Sequence, residues 1–326
     1  MKNSVSIVVS GEAGEGLKTI EKLITKVISK YYFYFSSKEV MSRVRGGNNT
    51  VEIRISDEKV FAYKNNIDLL FLLNDNALYR LENRLTENTV VFGSESYKDN
   101  EIIKKSNSKL EEINLNKLAE EVGNKLFKNT ILFGFVLGML DIKIKDGNEE
   151  LEDIFSDKSE DIVNKNIEAL EVGYDKGKKY KELCHVEKTE LEDFKNISGT
   201  EAVGIGALAG GCNFVASYPM SPSTGVLTYL AGKGMDFDVL VEQAEDEVAA
   251  LNMVIGSWYA GGRGMATTSG GGFALMQEAV SLAGVSETPC VVHIAQRPGP
   301  ATGLPTRTEQ ADLNLTVYAG HGSFQG

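Results

Sequence analysis

The chain has 326 residues, 42% of them hydrophobic and 25% charged, a balance that suits a globular protein with a sizeable core in each of about two domains. A formal charge of −12 excludes nucleic acid and anionic membrane surfaces as principal partners, since either would select a basic face. The three cysteines, Cys184, Cys212 and Cys290, lie far apart without a CxxC pair, which excludes a self-contained zinc or iron–sulfur ligand set and makes a reducing cytoplasm the expected location.

Residues 5–9 form an apolar run of strand length, too short before Gly11 and Glu12 to read as a signal peptide. A glycine turn at 11–16 follows, and then Leu17, Ile20, Leu23, Ile24, Val27 and Ile28 recur at helical spacing. The turn joins strand to helix. Its spacing is not GxGxxG, and Glu12 and Glu15 place negative charge where a pyrophosphate would sit. A tight joint is therefore expected, with a nucleotide-binding reductase as the alternative.

Arg43 and Arg45 precede a glycine pair and an alternating strand at 50–55. They could receive an anion or a partner's carboxylate, or serve as surface charge. Strands are predicted at 68–74 and 89–93, and helices at 76–85, 118–140, 149–155 and 162–174. The apolar run at 131–140 is too short to span a bilayer. A first α/β domain is thus expected over 1–175. Residues 176–197, rich in Lys and Glu, read as a charged solvated linker carrying Cys184 and His185 on its surface.

The second domain, 198–326, opens with a helix start at 198–201 and a small-residue helix over 202–211. A strand at 214–218 ends at two prolines, Pro219 and Pro222, with Ser221, Ser223 and Thr224 beside the next helix. The centre of the domain is 241–272. There Glu242, Glu245 and Glu247 straddle the join between an apolar run and a helix, a place where unpaired N–H groups favour carboxylates. A second apolar segment runs into Ser269, Gly270, Gly271 and Gly272, a bare loop open to close approach. A last strand at 290–295 ends before Arg297.

In an open parallel α/β sheet, ligands bind beyond the carboxyl ends of the strands. Those ends carry Ser221, Glu245, Glu247, the 269–272 loop, Arg297, Thr302 and Thr306. A carboxylate, hydroxyl donors and a guanidinium on one rim suit a small carboxylic acid. The plainer alternative is hydroxyls that only cap helices and an Arg297 paired with a structural acid.

Four segments, YPMSPST at 218–224, QAEDEVAA at 243–250, TTSGGG at 267–272 and RPGPATGLPT at 297–306, resemble the α subunit of 2-oxoacid:ferredoxin oxidoreductases of the 2-oxoglutarate synthase type. The 11–16 loop and the 42–49 arginine–glycine stretch resemble the γ domain that this branch fuses ahead of α. The resemblance implies a γ-type α/β domain followed by a thiamine-diphosphate-binding domain of the pyrimidine type, built on a parallel sheet. It implies oxidative decarboxylation of a 2-oxoacid, 2-oxoglutarate above others, to acyl-CoA with reduction of ferredoxin. It assigns the aminopyrimidine end of the cofactor to this chain, and the diphosphate, magnesium and a [4Fe–4S] cluster to a β subunit, without which the chain is expected to be inactive.

By the same resemblance Glu247 is the activating acid, with Glu245 as fallback. Ser221, Arg297 and Thr306 contact the substrate carboxylate, and Tyr218, Pro219, Glu245, Ser269, Gly270 and Gly271 contact the cofactor. Met220 stands where relatives carry Ile or Val. The chain stops where relatives continue, so a C-terminally truncated second domain is expected. A non-catalytic scaffold part of the same hetero-oligomer is the alternative.

Overall fold

A computed structural model describes residues 3–41, 46–75, 77–189, 191, 196–299 and 312–322. The chain divides into two compact units, Met1–Asn196 and Ile197–Gly326.

The first unit runs β1 (Ser4–Ala13), α1 (Leu17–Ile28), β2 (Phe33–Glu39), β3 (Gly46–Ser56), β4 (Leu69–Leu72), α2 (Leu78–Leu81), β5 (Val90–Gly93), α3 (Glu101–Lys105), β6 (Lys109–Glu112), α4 (Leu115–Val122), α5 (Lys128–Met139), α6 (Ile144–Ile154) and α7 (Glu160–Gly177). Its six-stranded sheet has the order β2-β3-β1-β4-β5-β6. β1, β4, β5 and β6 are parallel, while β3 is antiparallel to both β1 and β2. β1 is a nearly continuous apolar run because both faces are covered, and Val5, Ile7, Val8 and Val9 are fully buried.

α5 is apolar all round and packs backbone to backbone on α7. A Cβ on Gly134 would stand 2.1 Å from the Leu170 carbonyl oxygen, and one on Gly173 would stand 1.9 Å from that of Ile131. Only glycine allows this approach, which gives α5 a buried face on every side. The helix predicted over 118–140 is in fact α4 and α5, separated at Gly123, whose φ of 136° closes α4.

The glycine turn after β1 is a joint. The Glu15 carboxylate receives the Glu12 backbone N–H at 2.6 Å, the Asn74 side-chain amide at 2.6 Å and the Lys128 ammonium at 2.7 Å. Donors that a phosphate would require are taken by the chain's own acid. Arg43 and Arg45 lie outside the described residues.

The stretch read as a linker is laid against this unit over much of its length. Tyr180 donates to Glu111, Lys181 pairs with Asp141, and the Thr189 N–H reaches the Tyr31 carbonyl at 2.8 Å. Cys184, expected at the surface, is buried in the core among apolar neighbours, whereas His185 is exposed. The many lysines hide this, although two of them take part in the packing: the Lys178 and Lys188 ammonium groups lie over the Tyr174 and Tyr31 rings, 4.7 and 5.6 Å from their centroids.

The second unit runs α8 (Gly199–Ala209), β7 (Phe214–Ser217), α9 (Thr224–Phe237), β8 (Leu240–Gln243), α10 (Glu247–Tyr259), β9 (Gly264–Ser269), α11 (Gly270–Leu275), α12 (Gln277–Val285), β10 (Val291–Ala295) and α13 (Leu313–Val317). A reciprocal capping box fixes the start of α8: Ser198 Oγ accepts from the Glu201 N–H, and Glu201 accepts from the Ser198 N–H at 2.7 Å. The sheet has the order β10-β9-β7-β8 and all its pairings are parallel. Ala250, Leu251 and Val254 of α10 and Ala216 and Ala266 of the sheet form one fully buried cluster. All four strands therefore present their carboxyl ends at one edge, the edge where Tyr218, Ala244, Gly270 and Gln296 follow.

Candidate functional site at the carboxyl edge of the second sheet

Glu247 is the first residue of α10. Asp246 caps the helix, accepting the Ala249 N–H at 2.7 Å. That cap leaves Glu247 to turn inward, where it is 3% exposed and its Oε1 has no hydrogen-bond partner among the described residues. Glu245, two residues earlier, is exposed. Burial thus separates the two acids that spacing leaves equivalent.

The glycines at 270–272 do not form a loop. They make the first turn of α11, and their missing side chains are explained by what lies against them. A Cβ on Gly272 would stand 2.1 Å from Thr268 Oγ1 and 2.8 Å from Glu247 Cγ. One on Gly270 would stand 1.9 Å from Asp312 Oδ1. Gly271 faces Arg297, whose Nη2 lies 3.7 Å from the corresponding position. The close approach anticipated from the sequence is real, and the groups making it belong to the protein itself.

Arg297 and Ser221 come together, through the main chain. Arg297 Nη1 donates to the Ser221 carbonyl at 2.8 Å, while the serine side chain is exposed. This bond fixes one arm of a half-buried guanidinium that has five N–H donors. Ser269 is fully buried and donates to Met220 Sδ at 2.6 Å; Ser223 Oγ donates to the Met220 carbonyl at 2.7 Å. Met220 is thereby held between two hydroxyls at the edge. Tyr218 is 40% exposed and Pro219 is half-buried. Thr302 and Thr306 lie outside the described residues.

The buried side-chain oxygens of the second unit that lack a partner, among the described residues, are Glu247 Oε1, Thr268 Oγ1, Gln296 Oε1 and Asp312 Oδ2. All four follow or end strands at this edge or press on its glycine turn. A buried acceptor without a donor is costly, about 1–3 kcal/mol each, so this edge is the candidate site of the second unit. Asp312 is 7% exposed. It sits in no motif-like spacing, and the only sequence signal for it is indirect, the bare Gly270 against which it rests.

A hollow of about 380 Å³ is lined by Val203, Cys212, Trp258, Met265, Val291 and His293 among others. It lies along α8 and the beginnings of β9 and β10, away from the strand ends, and is largely apolar. Burial pushes the His293 imidazole below its usual range and the Cys212 thiol above its own. His293 Nδ1 and Thr267 Oγ1 are hydrogen-bonded at 2.8 Å. Among the described residues there is no cluster of three or more His, Cys, Asp or Glu able to hold a metal ion, and no helix long and apolar enough to cross a membrane.

Two family models match the chain. The family model described as pyruvate ferredoxin/flavodoxin oxidoreductase matches residues 6–176. The one described as pyruvate flavodoxin/ferredoxin oxidoreductase, thiamine diP-bdg, matches residues 205–322, which include the whole carboxyl edge. The 2-oxoacid:ferredoxin oxidoreductase subunit alpha of Sulfolobus sp is 28% identical over 98% of this chain and 58% of its own length. The 2-oxoglutarate synthase subunit KorA of Methanothermobacter marburgensis is 42% identical over 40% of this chain and 34% of its own.

A solved structure, 2-oxoglutarate:ferredoxin oxidoreductase from Magnetococcus marinus with 2-oxoglutarate, coenzyme A and succinyl-CoA bound, superposes with a TM-score of 0.87 at 30% identity. It covers all of this chain, which in turn covers 58% of that one. The chain spans under two thirds of the length of these longer relatives. The chain belongs to the pyruvate ferredoxin/flavodoxin oxidoreductase family, as a member of the 2-oxoacid:ferredoxin oxidoreductase α-subunit type.

Proposed function

We propose that the second unit holds the aminopyrimidine end of thiamine diphosphate in an enzyme that oxidatively decarboxylates a 2-oxoacid, 2-oxoglutarate above others, to acyl-CoA while reducing ferredoxin. The observation that carries this reading is the buried, unpartnered Glu247 Oε1 at the carboxyl edge of a parallel sheet. A ring nitrogen that takes a hydrogen bond from the Glu247 carboxyl, or returns one once it has received the proton, completes that oxygen, so the residues present fit the cofactor. Bound there, thiamine diphosphate would supply the carbon nucleophile and electron sink that decarboxylation of a 2-oxoacid needs.

The chain's own residues divide the remaining work. Glu247 holds a proton between Oε1 and the ring nitrogen, which tunes the basicity of the ring's amino group. Packing against Gly272 fixes the rotamer of Glu247, and its burial keeps water from Oε1. Arg297, anchored on the Ser221 carbonyl through Nη1, turns its other N–H groups to the substrate carboxylate, and Thr306 contributes a hydroxyl. Ser269 holds the Met220 side chain at the same edge. Tyr218, Pro219, Gly270 and Gly271 border the cofactor, and the exposed Glu245 is read as a surface acid beside the site, outside the contacts that hold the ring.

In this reading residues 1–175 are the γ-type domain and 198–326 the pyrimidine-type domain. A β subunit supplies the diphosphate and magnesium site and the [4Fe–4S] cluster, and the assembly works as a cytoplasmic hetero-oligomer. Calorimetric titration of thiamine diphosphate with Mg²⁺ into the chain co-purified with its β subunit tests this. Saturable binding that Glu247→Gln weakens is expected. Absence of binding to an intact complex would leave the chain a non-catalytic scaffold part.

A further inference from the structure

Among the described residues of the second unit, the buried charged side chains are Glu247 and Asp312. Both press on the same helical turn from different glycines, Glu247 on Gly272 and Asp312 on Gly270. Each leaves one carboxyl oxygen without a partner among the described residues. Only the first has a role in the mechanism above. An acid that is 7% exposed and incompletely hydrogen-bonded is unfavourable unless something completes it, and sequences that need only a filled space use an apolar residue there.

The other buried unpartnered oxygens at this edge, among the described residues, limit what completes it. Glu247 Oε1, Gln296 Oε1 and Asp312 Oδ2 are all acceptors, and Thr268 Oγ1 can act as one. An anion would be repelled from this group and belongs with Arg297. A ring bearing N–H or O–H donors, neutral or cationic, would be received by it. We propose that Asp312 is a second ligand-directed acceptor of this site, taking a hydrogen bond from the ring-bearing end of the bound cofactor while Arg297 takes the substrate carboxylate, a role that rests on the cofactor reading above. The glycine at 270 then has a functional cause: a side chain there would push Asp312 out of reach.

The test is calorimetric titration of thiamine diphosphate with Mg²⁺ into the complex of this chain with its β subunit, alongside unfolding midpoints measured without ligand. Asp312→Asn keeps the volume and replaces one acceptor oxygen by a donor. Binding is expected to weaken by about tenfold or more, with the ligand-free midpoint little changed. If Asp312→Asn binds within about twofold of the parent while Glu247→Gln is impaired, the Asp312 proposal is overturned and the cofactor reading stands. If both variants bind as the parent does, both fall.

Should Asp312→Asn not fold, the pair Gly270→Ala with Asp312→Ala refills the space that the carboxyl vacates. A purely spatial role for Asp312 would let that double variant bind normally, which would overturn the proposal. An acceptor role gives a folded complex with the same tenfold loss.

Discussion

Glu247 and Gly272 are in contact across the carboxyl edge of the second sheet, with Glu247 Cγ 2.8 Å from the point where a Cβ on Gly272 would stand and Oε1 3.0 Å from it. The contact gives the glycine its reason and gives the acid a single orientation. Neither residue explains itself alone.

Gly272→Ala follows directly. The new methyl would meet Thr268 Oγ1 at 2.1 Å as well as Glu247, and Thr268, fully buried on β9, has little room to give. Overpacking of this kind is expected to destabilise the protein by about 1–3 kcal/mol. Thermal unfolding of the variant should show a midpoint lower by several degrees, and an unchanged midpoint would mean that the turn is looser than described.

A comparable effect is expected in the first unit from Gly173→Ala. Its methyl would lie 1.9 Å from the Ile131 carbonyl oxygen, a backbone atom that cannot rotate away. α5 and α7 would have to separate, so a loss of about 2–3 kcal/mol or more is expected. Denaturant titration reads this as a lower midpoint. A control at Gly199, where nothing lies within 4 Å, should leave packing intact.

How much of this was legible beforehand differs by element. α1, β3, α7 and the β8–α10–β9 unit could be read because each has a clear apolar period. β2 escaped because it is half-buried nearly throughout and shows no alternation, and β6 because its four residues, KLEE, are mostly charged. The rim residues Glu247, Ser221 and Arg297 were reachable from strand order alone, since all-parallel pairing brings strand ends to one edge. That Arg297 meets Ser221 through its carbonyl could not be read, because main-chain acceptors are the same for every residue type. Asp312 was invisible for a related reason: its partner is a missing side chain 42 positions earlier.

Stability should depend on pH through His293. Burial lowers its folded-state pKa below the usual 6.5, so the unfolded chain binds the proton more readily. The sign follows: stability is constant above the unfolded value, falls as the pH drops below about 6.5, and levels off once the folded-state histidine is also protonated. Unfolding midpoints between pH 7.5 and 5.5 should decline in the parent and decline less in His293→Gln. Equal slopes would remove His293 as the cause.

The most direct measurement of the central claim is steady-state turnover of the complete complex, with a 2-oxoacid, CoA and ferredoxin, for Glu247→Gln beside Glu245→Gln. Glu247 is buried with a free acceptor oxygen and Glu245 is exposed. Glu247→Gln is expected to reduce kcat by about a hundredfold or more with assembly intact, and Glu245→Gln to stay within about twofold of the parent, as expected of an exposed surface substitution. Near-parental turnover by an assembled Glu247→Gln complex would contradict the account.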